Sequence, residues 1–354
     1  MLKRFSKEEK KKKVGVTITD IAREARVSPA TVSYILNNKQ LNRISEETRK
    51  RVLEAARRLN YHPHASARGL VSNKTQSISV AVYDIDYITD LYFSTIFSGI
   101  SHMVGVYDYN LHFTITNKKA KGGRKNLFFM RKVLERRVDG VIIIDQAISD
   151  GDILELKEIN IPFVLIDRDI PGQNIYCVLT DNRKGIFEAT KHLIKSGHRR
   201  IAFVTEPLKF YKIKEMLEGY KTALANHGIQ YDRTLVRESV GAEKVTKNSI
   251  EELLNLSPKI TAIISSSDKI ALQILKIIKS LGLKIPEDIA LVGYNDEPTI
   301  AYTEPHLTTV KVPLQKMGEL AGEILLNLIN GKEIKNNRVI LAPQLIVRES
   351  SGRR

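Results

Sequence analysis

The sequence predicts an α/β chain: a three-helix helix-turn-helix headpiece, then two doubly wound lobes built on parallel sheets. Three observations carry this reading. A Ser-Pro pair at Ser28-Pro29 opens a short helical run, VSPATVSYILNN. From Ile78 onward, apolar β-branched runs alternate with helical stretches. Residues 1–75 hold 18 Lys and Arg against 7 Asp and Glu, which is +11 of the chain's +16.

The headpiece comes first. Thr17 or Thr19 can cap a helix that carries Ile21, Ala22 and Ala25. Ser28 is a good N-cap, and Pro29 suits the first helical position because its missing N–H costs nothing there. Val32, Ile35 and Leu36 then recur at helical spacing. Ser45 caps a third helix, with Glu46 and Glu47 where negative charge suits the dipole and with Val52, Ala55, Ala56 and Leu59 turned inward. His62-Pro63 is expected to break that helix. Three helices in about 45 residues match the size of a DNA-reading module.

Beyond the headpiece, ISVAV, HFTI, VDGVIIID, PFVLID, CVLTD, IAFVT, ITAII and IALVGY read as buried strands. Helical stretches at 123–136, 183–196, 212–227 and 269–281 separate them, the pattern of parallel sheets with crossover helices. Roughly 270 residues exceed one sheet domain, so two lobes are expected.

Composition excludes several classes. No apolar run approaches the roughly 20 residues of a membrane span. The N-terminus, MLKRFSKEEKKKKV, has no apolar core of a secretion signal, so a cytoplasmic location is expected. The lone cysteine, Cys177, rules out an internal disulfide and a Cys-rich metal site, and its apolar setting suggests a buried structural thiol. GxxxxGK[ST], HExxH and GxSxG are absent, so no catalytic residue, metal ligand or cofactor is assigned and no enzyme is expected. An excess of cations beside a helix-turn-helix is the footprint of a phosphate-binding module.

TITDIAREARVSPATVSYILN and ISEETRKRVLEAARRLNYHPHASARGL resemble the headpiece and hinge of the LacI/GalR transcription regulators. DNRKGIFEATKHLIKSGHRRIAFV, LVGYNDE, PHLTTVKVP and LIVRESS continue the resemblance in the family's order. Residues 1–15, with little apolar content and mutually repelling lysines, read as a basic disordered tail. The resemblance covers about residue 17 onward and implies a DNA-binding domain at 16–62, a hinge helix and linker at 63–76, and a two-lobed domain at 77–354 similar to periplasmic binding proteins. Lobe 1 would span about 77–179 and 308–338, and lobe 2 about 180–307 and 339–350. The family's base-reading positions map to Pro29, Ala30 and Tyr34, none of which offers a bidentate base contact. Thr17, Ser28, Thr31, Ser33 and Asn37 suit phosphate and sugar contacts, although such residues also serve as caps. Ala67, Arg68 and Leu70 match the hinge, where Leu70 would wedge a base step. Arg26 departs from the family, standing where a turn glycine is usual, so strain is expected there.

For the cleft, the resemblance implies effector contacts at Asp167, Met216, Ser267 and Asn295. Met216 stands where the family has an arginine, Ser267 where it has Asn and Asn295 where it has Asp. Arg168, Asp268 and Asp296 keep or adjoin motif positions. The aromatic residues Tyr83, Tyr87, Tyr92 and Phe93 are expected near the lobe 1 wall. Losing a guanidinium removes the group best matched to a carboxylate or diol. Three readings follow: a smaller or less polar effector, control by a partner protein as in the catabolite-control branch, or a sugar still bound. The family further implies a homodimer on a near-palindromic duplex, with Phe93–Met103 in the dimer-facing segment and no C-terminal heptads for a tetramer. The expected function is a dimeric, sequence-specific repressor of carbohydrate or related catabolic genes. A solute-binding protein, which lacks a headpiece, is the rival of another class.

Overall fold

A computed structural model describes residues 16–37, 41–61, 74–82, 88–115, 135, 137–144, 148–239 and 244–352. The chain divides between Asn73 and Lys74 into two compact units.

The first unit is a three-helix module. Helix α1 (Ile18–Ala25) starts in a capping box: Asp20 N donates to Thr17 Oγ1, and Thr17 N donates to Asp20 Oδ2. It ends at Arg26, whose φ of 54° and ψ of 49° are left-handed. Val27 N then reaches Ala22 O at 3.0 Å, closing a Schellman turn. Helix α2 (Pro29–Leu36) is capped by Ser28 on Thr31 N, and α3 (Glu46–Arg58) by Ser45 on Thr48 N. The core joins Ile21, Ala22 and Ala25 of α1, Val32 and Ile35 of α2, and Val52, Ala55 and Ala56 of α3. The end of α3 is set earlier than His62-Pro63: Asn60 turns left-handed at φ 48°, and Tyr61 N bonds to Ala56 O at 2.9 Å. His62 and Pro63 lie outside the described residues, as do 1–15 and the hinge residues Ala67, Arg68 and Leu70.

The second unit holds two six-stranded sheets. Sheet 1 is β2 (Asn110–Ile115), β1 (Ser77–Val82), β3 (Gly140–Ile143), β4 (Phe163–Ile166), β5 (Cys177–Thr180) and β11 (Arg338–Leu341), in that spatial order. All its pairings are parallel. Sheet 2 runs β7 (Val236–Glu238), β6 (Ile201–Thr205), β8 (Ala262–Ser265), β9 (Ala290–Asn295), β10 (Thr308–Lys311) and β12 (Gln344–Ile346), with β12 alone antiparallel. The first five strands of each sheet follow the 2-1-3-4-5 order of doubly wound folds, which puts a crevice beside the first strand's C-terminal end.

Helices cover both faces of each sheet. In lobe 1, α4 (Leu91–Val106) and α10 (Leu314–Ile329) pack together over one face, and α5 (Asp150–Glu158) covers the other. In lobe 2, α6 (Asn182–Lys195) and α7 (Tyr211–Asn226) pair on one face, while α8 (Lys247–Leu254) and α9 (Asp268–Ser280) cover the other. Burial on both faces is why the central strands read as unbroken apolar runs. Cys177 sits among them, its thiol pushed up to about 12 by burial.

The chain passes between lobes after Thr180, between β10 and α10, and between β11 and β12. The last two crossings fall slightly later than the expected boundaries at 308 and 339, because β10 pairs with β9 and β11 pairs with β5. Residues 74–76, expected as linker, are tied into lobe 1: Thr75 N and Gln76 N donate to Asp139.

Candidate functional site

Two candidate sites emerge, one in each unit. In the headpiece, helix α2 buries Val32 and Ile35 and leaves Ser28, Pro29, Ala30 and Tyr34 exposed. Ala30 and Tyr34 are one turn apart and share a face, and Tyr34 is 38% exposed. Thr17, Ser28, Thr31, Ser33 and Asn37 all take part in local caps. Ser28 Oγ lies 2.9 Å from Thr31 Oγ1, and Asn37 Nδ2 donates to Ser33 O at 2.8 Å. Capping does not exhaust a hydroxyl, which keeps further lone pairs. Arg49, Lys50 and Arg51 of α3 add exposed positive charge to the same unit.

In the second unit, the site lies where the C-terminal ends of the two sheets face each other. Asp167, just after β4, has a left-handed φ of 53° and is buried. Its Oδ1 accepts from Thr180 N at 3.1 Å and from Asn182 Nδ2 at 3.2 Å. Its Oδ2 accepts from Tyr92 Oη at 2.9 Å. Asn182 Oδ1 in turn accepts from Tyr294 Oη at 2.9 Å. Burial holds both phenols well above their ordinary pKa, so they remain donors. Asp167 therefore collects donors from lobe 1, from the first crossing and from lobe 2.

The lobe 2 wall carries a second constellation. Glu206 follows β6 and lies 3.1 Å from Lys212 Nζ in the first turn of α7. Both residues are buried, and the ammonium stands 4.8 Å from the Tyr92 ring centroid. Ser267 caps α9 on Ile270 N at 3.2 Å. Asn295 and Asp296 adopt positive φ of 116° and 60° at the end of β9. Asp268 anchors this strained turn from below, accepting from Glu297 N at 2.8 Å and from Thr309 Oγ1 at 2.6 Å. Arg348 clamps it from the side, donating to Asp296 at 2.7 Å.

The other residues expected at the cleft are placed as follows. Met216 is fully buried in the core cluster beside Ile213 and Tyr220. Phe93 is likewise a core residue, its ring 6.1 Å from Phe97 and 6.0 Å from Phe113; its neighbour Tyr92 faces the cleft instead. Arg168 is buried and donates to the Ile148 carbonyl and the Asp150 carboxylate, which fixes the start of α5. Tyr83 and Tyr87 lie outside the described residues. Lys212 and Glu206 were not singled out from the sequence. Lys212 stands four residues before Met216 on one helical face.

Among the described residues, no group of three His, Cys, Asp or Glu is placed to hold a metal, and no helix is long and apolar enough to cross a membrane.

Comparison with known proteins places these sites in context. Residues 17–64 match the family of bacterial regulatory proteins, lacI family, and residues 190–351 match a periplasmic binding protein-like domain. Catabolite control protein A of Priestia megaterium is 31% identical over 96% of this chain and 100% of its own. The probable HTH-type transcriptional repressor ExuR of Bacillus subtilis (strain 168) is 33% identical over 96% and 99%. Among solved structures, the lac repressor dimer bound to operator and the anti-inducer ONPF superposes with a TM-score of 0.82 at 25% identity, covering 95% of this chain and 99% of that one. The transcriptional regulator CelR–cellobiose complex gives 0.71 at 28% identity over the same shares.

Proposed function

Because the chain belongs to the lacI family of bacterial regulatory proteins, it is a DNA-binding transcriptional regulator, and we propose the residues and the switch through which it works. The observation that carries the proposal is the exposed Ala30–Tyr34 face of a Ser28-capped helix on a basic three-helix unit. That helix enters the major groove. Ala30 offers a methyl to thymine and Tyr34 a phenol, while Thr17, Ser28, Thr31, Ser33 and Asn37 fix register on phosphates and sugars. Ala67, Arg68 and Leu70 read the centre of the site from the minor groove. Two chains act together on a near-palindrome, as the lac repressor dimer bound to operator suggests by analogy.

The protein works in the cytoplasm as a repressor of carbohydrate or related catabolic genes and performs no catalysis. A small-molecule effector, of which a sugar is one class, binds between the lobes near Asp167, Ser267 and Asn295, and its differential affinity for two lobe arrangements changes operator affinity. No finding favours the alternative of control by a partner protein.

The test is affinity selection of genomic fragments by full-length protein at defined salt. A short near-palindrome is expected, with Tyr34→Ala relaxing preference at one position per half-site and Leu70→Ala lowering affinity without changing thermal stability. Salt-sensitive binding with no common sequence would overturn the assignment of Ala30 and Tyr34 as base readers.

A further inference from the structure

Two lysines of lobe 2 converge on one helical turn of lobe 1. Lys269 Nζ, in the first turn of α9, lies 2.9 Å from Asp90 Oδ2. Asp90 is the N-cap of α4, and its Oδ1 accepts from Tyr92 N at 3.0 Å. Two residues on, the Tyr92 ring receives the Lys212 ammonium at 4.8 Å, while its hydroxyl holds Asp167. The cap and the ring of a single turn are thus each held by a cation from across the cleft.

We propose that Asp90 and Tyr92 form a latch that Lys269 and Lys212 engage, so that lobe closure is set by the protein's own charges and an effector works with or against that latch. This rests on reading the cleft as the effector site, and it adds the regulation of that site. The two contacts differ in character. The outer pair is open to solvent, with Lys269 52% and Asp90 15% exposed, so salt screens it. The inner contact is shielded, with Lys212 only 9% exposed, and a desolvated ammonium over an aromatic face holds more strongly than an exposed one. Glu206 keeps the buried ammonium balanced in charge, which lets it sit there at all.

The latch also has an output. Helix α4 crosses α10 at Gly99 and Gly318 so closely that neither site tolerates a Cβ without moving backbone. A pull on the first turn of α4 therefore moves a packed pair rather than a loose end.

The test measures lobe separation directly. Cys177 is buried, so Glu158→Cys in lobe 1 and Glu287→Cys in lobe 2 accept spin labels selectively. Labelled full-length chain is mixed with excess unlabelled chain, so that only distances within one chain report. Asp90→Asn keeps a capping oxygen and removes the charge; Lys269→Gln and Lys212→Met remove the cations. The unsubstituted protein is expected to show a short, narrow distance that broadens as salt rises. Asp90→Asn and Lys269→Gln should each lower the closed fraction at low salt by roughly threefold, the size of an ordinary partly exposed ion pair. Lys212→Met should remove the part that survives high salt. Wild-type distances in all three variants, each checked for an unchanged melting temperature, would overturn the latch, as would an open distance in the unsubstituted chain. Neither outcome depends on a bound effector, so failure of the latch is separable from failure of the reading of the cleft as the effector site.

Discussion

Tyr92 and Asp167 are joined by a 2.9 Å hydrogen bond in which the phenol donates and the carboxylate accepts. With Thr180 N and Asn182 Nδ2 on the other oxygen, Asp167 connects lobe 1 to the first residues of lobe 2. Because burial keeps the Tyr92 phenol protonated, the bond holds across the physiological pH range. Tyr92→Phe removes one donor from a buried carboxylate and is expected to cost about 1–3 kcal/mol. Urea denaturation should show a lower midpoint with an unchanged slope. An unchanged midpoint would mean that the bond contributes nothing to the folded state.

Arg26 holds a left-handed backbone conformation at the end of α1, just before the helix that carries Ala30 and Tyr34. Its amide bonds to the Ala22 and Arg23 carbonyls, so the turn is needed to close the helix. A residue with a Cβ costs roughly 1–2 kcal/mol in this region, and glycine avoids that cost. Arg26→Gly is therefore expected to stabilise the headpiece by about 1 kcal/mol, read as a higher headpiece melting temperature. The lost cation should also flatten the salt dependence of DNA binding if Arg26 touches phosphate.

Much of the architecture was legible because doubly wound folds announce themselves. The eight apolar runs read as strands are all strands, since burial on both faces leaves little polar residue in them. Among the described residues, four strands escaped notice: Thr308–Lys311, which lies inside sheet 2 between β9 and β12, and Val236–Glu238, Arg338–Leu341 and Gln344–Ile346, which lie at sheet edges and are less buried than the central strands. Their pairing is decided by a neighbour, not by their own composition. The cleft was legible only in part. Asp167 and Asn295 stand out by their place at the ends of strands, but family position alone could not show that Met216 faces the core. The Lys212–Tyr92 contact arises from two residues that are remote in sequence and belong to different lobes, so no local pattern signals it.

Asp268 is fully buried at the start of α9, and burial pushes its carboxyl up to about 6. Its folded pKa is thus above the unfolded value of about 3.9. Between those values the native state binds more protons, so this group's contribution to stability falls as pH rises from about 4 to 6. Two pKa units correspond to about 3 kcal/mol, the balance of desolvation against the hydrogen bonds that Thr309 Oγ1 and Glu297 N give the ionised form. In Asp268→Asn the amide oxygen can still accept from Glu297 N, and the amide nitrogen can donate to Thr309. The variant should lack this pH dependence, so its stability relative to the unsubstituted protein rises by about 2–3 kcal/mol between pH 4 and pH 7. Paired denaturation curves at the two pH values measure this. A difference that does not change with pH would place the Asp268 carboxyl at its ordinary value.

The glycines of the α4–α10 crossing form a graded series. A Cβ on Gly318 would lie 2.0 Å from Ile96 O and 2.9 Å from Ile100 N, both backbone atoms of α4. The helices can accept it only by separating, so Gly318→Ala is expected to cost about 1–3 kcal/mol or more, as overpacked cores do. One turn along α10, a Cβ on Gly322 would meet Met103 Cβ at 3.2 Å and Cγ at 3.3 Å. Part of that side chain can give way, so Gly322→Ala should cost less than Gly318→Ala. On α4 itself, a Cβ on Gly105 would meet nothing within 4 Å. There alanine gains helix propensity without a clash and should stabilise by roughly 0.5–1 kcal/mol. The expected order of melting temperatures is Gly105→Ala above the unsubstituted protein, then Gly322→Ala, then Gly318→Ala. If Gly318→Ala melted no lower than Gly322→Ala, the helix pair would be free to slide. Displacement of α4 could then no longer be read at the far end of the turn that Asp90 caps.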